Sequence, residues 1–154
     1  VEAAEQHITA QLEWATANRE TLKYDPLVLC IALYRKLAPL LSHLNLKLAM
    51  LARKIAELSI VEVPSSPYAA EFADKFVPAF KRLLRDVPTS CFELTEVLNV
   101  AACGALTTTP PSRKALKMIQ EARDSCVLAL GPDHPTTAMN CRSAAVYEMR
   151  LSPH

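Results

Sequence analysis

Six residues near the end of the chain, Leu130-Gly131-Pro132-Asp133-His134-Pro135, constrain its fold more than any others. They follow an amphipathic segment that opens at Lys114-Ala115-Leu116 and runs through Ala122 and Ala129. Gly131 suits the position just past a helix end, where a positive φ is needed and a Cβ is unwelcome. Asp133 is a good N-cap for a second helix, with His134 in its first turn. A helix that stops and restarts this quickly folds back on itself. The unit is a helical hairpin, and stacked hairpins bury a continuous core only against their neighbours.

The rest of the chain repeats this logic. It has two glycines and eleven prolines in 154 residues, so prolines do most of the cutting between apolar-periodic segments. The first segment, about 2–23, places Ile8, Leu12 and Ala15 on one face. Asp25-Pro26 starts a second, with Cys30, Leu33 and Leu37 inward and Pro39 ending it near Leu41. A third, about 42–60, has the clearest stripe: Leu44, Leu48, Leu51, Ile55, Leu58. Ser66-Pro67 caps a fourth through Arg85, with Phe72, Phe76, Phe80 and Leu83 inward and a bend expected at Pro78. Ser90 and Glu93 form a capping box for a fifth, which carries Leu94, Leu98, Ala101 and Ala105. The sixth (112–130) turns Ala115, Ile119, Ala122 and Cys126 inward, and the seventh Ala138, Cys141, Ala145 and Met149. No segment alternates with period two. The expectation is an all-α chain of about seven antiparallel helices in one domain over residues 1–154, with small residues such as Ala102, Ala122, Ala144 and Ala145 allowing close packing.

Composition narrows the function classes. A net charge of +1 gives no bulk attraction to nucleic acid or to an anionic membrane. The longest apolar run, Leu27 to Leu41, is interrupted by Arg35 and Lys36 and is too short to span a bilayer. Of the five cysteines, Cys91 and Cys103 share one helix, where twelve residues separate them by roughly 18 Å, too far for a disulfide or a common metal. All five (Cys30, Cys91, Cys103, Cys126, Cys141) read as reduced and mostly buried, which suits cytoplasm or nucleus. Two glycines allow no phosphate-binding loop, and neither H-E-x-x-H nor C-x-x-C occurs. A small helical enzyme using Cys or His has no constellation behind it.

Lys114 to Tyr147 resembles a tetratricopeptide unit of the kinesin-light-chain type. A longer ordered pattern runs from His43-Leu44-Asn45 through Glu71-Phe72, Phe80-Lys81-Arg82-Leu83-Leu84 and Glu93-Leu94-Thr95-Glu96-Val97-Leu98-Asn99-Val100-Ala101 to the Gly131–Pro135 turn. That order is similar to the C-terminal helical domain of the SET-and-MYND (SMYD-type) protein lysine methyltransferases, over about 42–147. The resemblance implies seven helices stacked as tetratricopeptide-like hairpins in a right-handed superhelical array. It implies a non-catalytic domain, a C-terminal fragment of a larger protein, that walls the substrate cleft and docks protein partners. The methyl donor S-adenosylmethionine, the catalytic tyrosine and the zinc ligands would all belong to upstream domains. The chain has no N-H-x-C, post-SET C-x-C-x-x-C or MYND array, so no catalytic, cofactor-binding or metal-binding residue carries over. The alternative is a stand-alone tetratricopeptide-like adaptor that grips a peptide in a concave groove.

Candidate partner-binding residues are few. Lys81, Arg82 and Arg85 cluster at the end of the fourth helix, where cations complement the helix dipole and also offer a dock for an acidic peptide or phosphate. Trp14 and Tyr24 suit either core or contact with an upstream domain. His43 and His134 read as residues of helix starts rather than ligands, and Gly131, Asp133, His134 and Pro135 as a structural turn. An apolar patch is expected on the first two helices, which precede the matched region.

Overall fold

The computed structural model describes residues 2–17, 25–63, 67–87 and 92–152. Among them are seven helices and no strand: α1 (Glu2–Ala17), α2 (Pro26–Leu37), α3 (Leu46–Glu62), α4 (Tyr68–Leu83), α5 (Phe92–Leu106), α6 (Arg113–Leu130) and α7 (Pro135–Leu151).

Local chemistry sets several of the helix starts. Asp25 Oδ1 accepts from Leu27 N at 2.9 Å with Pro26 in the first turn of α2, as its sequence predicts. The start of α3 differs from expectation. Ser42 makes a turn instead, its Oγ accepting from Leu44 N at 3.2 Å, and Asn45 caps the helix by accepting from Leu48 N at 3.1 Å. Leu44 therefore lies before the helix, half-buried, rather than in its stripe. Ser112 caps α6 through Ala115 N at 3.1 Å. The caps expected at Ser66 and Ser90 fall outside the described residues. Gly131 ends α6 at φ 86°, the one positive φ among the described residues.

The cap of α7 is a correction. His134, not Asp133, holds that position: its Nδ1 accepts from Thr136 N at 3.1 Å. Pro135 is the reason. It fits the first helical position because that N–H is not needed, and it pushes the preceding residue into extended backbone, at ψ 138° for His134. Asp133 lies one residue outside, exposed.

Each helix from α2 onward packs on its sequence neighbours, and α3 also reaches α1 and α5 directly. Two ion pairs join α4 to α6 across α5: Lys114 Nζ to Asp74 Oδ2 at 2.7 Å, and Lys81 to Glu121. The partners are seven residues apart on both helices and in the same sense, so α4 and α6 run parallel and in register. Over α1–α5 the odd-numbered helices approach one another, placing them on the tighter side of the array.

The core is continuous. Leu51 and Ile55 of α3 are sealed with Phe72 and Phe76 of α4, and Phe72 meets the Tyr34 ring edge-on at 5.0 Å. Ile8 anchors α1; the side chains of Leu12 and Ala15 lie outside the described set. Gly104 permits the α4–α5 crossing, since a Cβ there would sit 3.0 Å from the carbonyl carbon of Ala69. α4 continues through Pro78, which faces outward, and Leu83 is exposed, not inward.

The largest difference from expectation is the rotation of α7. Ala138, Cys141, Ala145 and Met149 are all exposed, and the buried face is Thr137, Asn140, Ala144 and Tyr147. From Ala138, Cys141 and Ala145 to Thr137, Asn140 and Ala144 the offset is one residue, about 100° of helix rotation. Polar anchors decide it. Thr137 Oγ1 donates to Cys126 O at 3.3 Å, and the sealed Tyr147 hydroxyl accepts from Ser112 N at 3.1 Å.

A candidate partner-binding groove

The residues singled out from the sequence do not form one site. Lys81 is paired with Glu121, and Arg85 lies 3.5 Å from Asp86. Two of the three cations at the end of α4 thus have acids beside them, which weakens the reading of an acidic-peptide dock. Arg82 is exposed. Trp14 is 49% exposed on α1, and Tyr24 lies outside the described residues. Gly131, Asp133, His134 and Pro135 form the α6–α7 turn.

Exposed apolar side chains are not confined to the first helices. Trp14 of α1, Val28 of α2 and Leu40 just after α2 are exposed, but so are Val127 and Leu128 of α6 and Met139, Val146 and Met149 of α7. The rotation of α7 accounts for Met149, which belongs to the stripe it turns outward.

Two cavities involve the last three helices. One, of about 220 Å³, lies between α4 and α6 beside the α5–α6 loop, with Glu71, Asp74 and Lys114 in its wall. The Asp74–Lys114 pair already spends two of those charges on each other. The second, of about 140 Å³, opens between α5 and α7 above α6. Leu106 of α5 and Met139 of α7 give it an apolar surface, with Ala102 and Ile119 sealed beneath, Asn99 and Asn140 meet in its wall, and no charged side chain lines it.

A polar cluster organises this second groove. Asn140 Nδ2 donates to Thr136 O at 3.0 Å and to Asn99 Oδ1 at 3.1 Å, and lies 3.4 Å from Cys126 Sγ. The Cys126 thiol in turn donates to Asn99 Oδ1 at 3.4 Å. Nearby, the Thr95 and Ser125 hydroxyls bond at 2.8 Å between α5 and α6. Low dielectric strengthens such bonds and makes each unpaired member costly. Burial holds the Cys126 thiol above the usual range, partly offset by its bond to Asn99. Burial likewise raises the Cys30 thiol. Cys30 and Cys126 are buried, while Cys103 and Cys141 are exposed, so the expectation of mostly buried thiols holds for half of the described ones.

Asn99 and Asn140 do not stand out as site residues in the sequence. A signal was present: asparagine is unfavourable inside a helix unless its amide has a task, and both stand well within theirs. Among the described residues no group of three or more His, Cys, Asp or Glu is placed to hold a metal ion, and no helix is long and apolar enough to cross a membrane. No protein-family model matches the chain, and no curated protein does.

Proposed function

We propose that this chain is the non-catalytic helical domain of a SET-type protein lysine methyltransferase, where it shapes substrate access and holds protein partners. The α5–α7 groove is the observation that carries the partner-holding part: an uncharged cleft with an apolar surface and a fixed polar pair, built on rigid helices. The Gly131–Pro135 turn and the seven-helix array support the methyltransferase part. S-adenosylmethionine and zinc belong, on this reading, to upstream domains, and cytoplasm or nucleus is the working compartment.

The test is the messenger RNA that encodes this segment. It should encode, upstream and in frame, a SET domain bearing N-H-x-C and C-x-C-x-x-C. Removing the helical domain from that protein should change KM for the protein substrate and leave S-adenosylmethionine affinity unchanged. A messenger with no SET domain overturns the methyltransferase reading. One observation favours the second reading, a self-standing peptide-binding adaptor: α5, α6 and α7 of this chain complete the groove without another domain. An adaptor binds peptide as the 154-residue chain alone.

A further inference from the structure

We propose that the outward face of α7 is a dimerisation surface, on which a second copy of this chain lays its own α7 antiparallel, with Arg142 of each copy against Glu148 of the other. This face shares no residue with the α5–α7 groove.

α4, α5 and α6 each lie between two sequence neighbours and spend two faces on them. α7 packs along α6 and touches α5 through Asn140. Its buried face is Thr137, Asn140, Ala144 and Tyr147. A second apolar stripe, Ala138, Cys141, Ala145 and Met149, is exposed, Met149 to 70%. Two apolar stripes at helical spacing mark a helix that packs on both sides. Among the described residues, one of those sides is bare.

Charge placement identifies a second copy as what covers it. Arg142 and Glu148 flank the stripe, and neither has an ion-pair partner among the described residues. They stand three positions before and three after Ala145, and Cys141 and Met149 stand four before and four after. Residues at these spacings share the Ala145 side of the helix. Let two α7 helices run antiparallel about a two-fold axis beside Ala145. A residue ahead of Ala145 on one copy then lies level with the residue equally far behind it on the other. Arg142 meets Glu148 twice, and the long Met149 meets the short Cys141 twice. Ala145 meets itself, and its small side chain lets the axes approach toward the short end of the usual ~8–10 Å. A parallel pair would set Arg142 against Arg142. A helix of unrelated sequence has to bring both charges at this spacing, whereas a second copy carries them by symmetry. One helix per copy makes a small interface, near the lower bound of about 1,200 Å² for stable complexes. Association is therefore weak, with a Kd on the order of 100 µM.

Sedimentation equilibrium of the 154-residue chain, up to about 1 mM, reads the oligomeric state directly. Reducing buffer excludes disulfide-linked dimers through the exposed Cys103 and Cys141. The wild-type chain should pass from monomer to dimer. Arg142→Glu and Glu148→Arg should each weaken the dimer about tenfold, because each turns both pairs into like-charge contacts. Both positions are exposed, so the helical circular dichroism should be unchanged. An equimolar mixture of the two variants should regain the wild-type affinity, since every pair across the interface is again opposite in sign. With no substitution at all, raising salt from about 0.05 M to about 0.5 M should weaken the dimer severalfold by screening the same pairs. A wild-type chain that stays monomeric at the highest concentration overturns the proposal and leaves the face to a helix of another sequence. A dimer that either variant leaves intact, variants that do not rescue each other, or a dimer that tightens with salt also overturns it, and puts the contact elsewhere.

Discussion

The α3–α4 layer and the α5–α7 layer solve the packing problem in opposite ways. In the first, Leu51, Ile55, Phe72 and Phe76 fill the interior with apolar volume, and specificity comes from shape. In the second, the contact faces carry Ala101, Ala122 and Ala144, and polar groups (Thr95–Ser125, Asn99–Cys126–Asn140, Thr137, Tyr147) fix how the helices sit. A dry apolar face forgives small rotations of a helix. A buried polar face does not, because each misplaced group loses a partner. The first layer rests on apolar volume, and the second on matched polar partners that fix the rotation of its helices.

Four substitutions and one titration sharpen that contrast. Phe76→Ala should have the largest effect, a loss of about 3–5 kcal/mol in denaturant unfolding, since its ring is sealed in the apolar layer. A loss under about 1 kcal/mol would show that this layer is not the main source of stability. Gly104→Val should cost about 2–3 kcal/mol, because the new side chain meets Ala69 backbone at the seam between the layers. No change in midpoint would mean that α4 and α5 part easily there.

Buried polar groups offer a matched pair. Asn140→Ala should cost about 1–3 kcal/mol by orphaning its partners, whereas Ser59→Ala should be neutral or stabilise by about 1 kcal/mol, since that hydroxyl is sealed with nothing to bond. Equal effects would erase the distinction between a working network and a tolerated polar group.

The smallest effect is one of pH. Burial raises the Cys30 and Cys126 thiols, so the folded chain keeps protons that the unfolded chain releases above about 8.5. Below that pH both states are protonated and stability from these groups is constant. As pH rises toward the folded values, stability falls, because the unfolded state binds fewer protons. Chemical denaturation at pH 7 and pH 9.5 should show the decline, and Cys30→Ala with Cys126→Ala should flatten it. An equally steep decline in the double variant removes these thiols as its source.

Legibility in the sequence followed the same divide. The α3 and α4 stripes were readable because an apolar face at helical spacing is also a buried face: Leu48, Leu51, Ile55, Phe72, Phe76 and Phe80 all face inward. Leu83 departed because it sits on the last turn, where the neighbouring helix no longer covers it. α7 carries two faces one residue apart, and the more apolar one was the natural choice. Hydropathy ranks Met149 and Ala145 above Thr137 and Asn140, yet the latter pair find partners on α5 and α6. The groove was hidden for the same reason, since its polar atoms come from α5 and α7, 41 positions apart.

The sequence alone determined the number of helices, the Asp25-Pro26 start and the Gly131 stop, all of which depend on bonds within a few residues. Only the tertiary structure decided which side of α7 is covered, that His134 rather than Asp133 caps it, and that Asn99 and Asn140 meet. Caps and stops are local, so residue type suffices once the backbone around a proline is considered. A helix's rotation about its own axis is set by what lies across the interface. Where that interface is polar, no count of apolar residues predicts it.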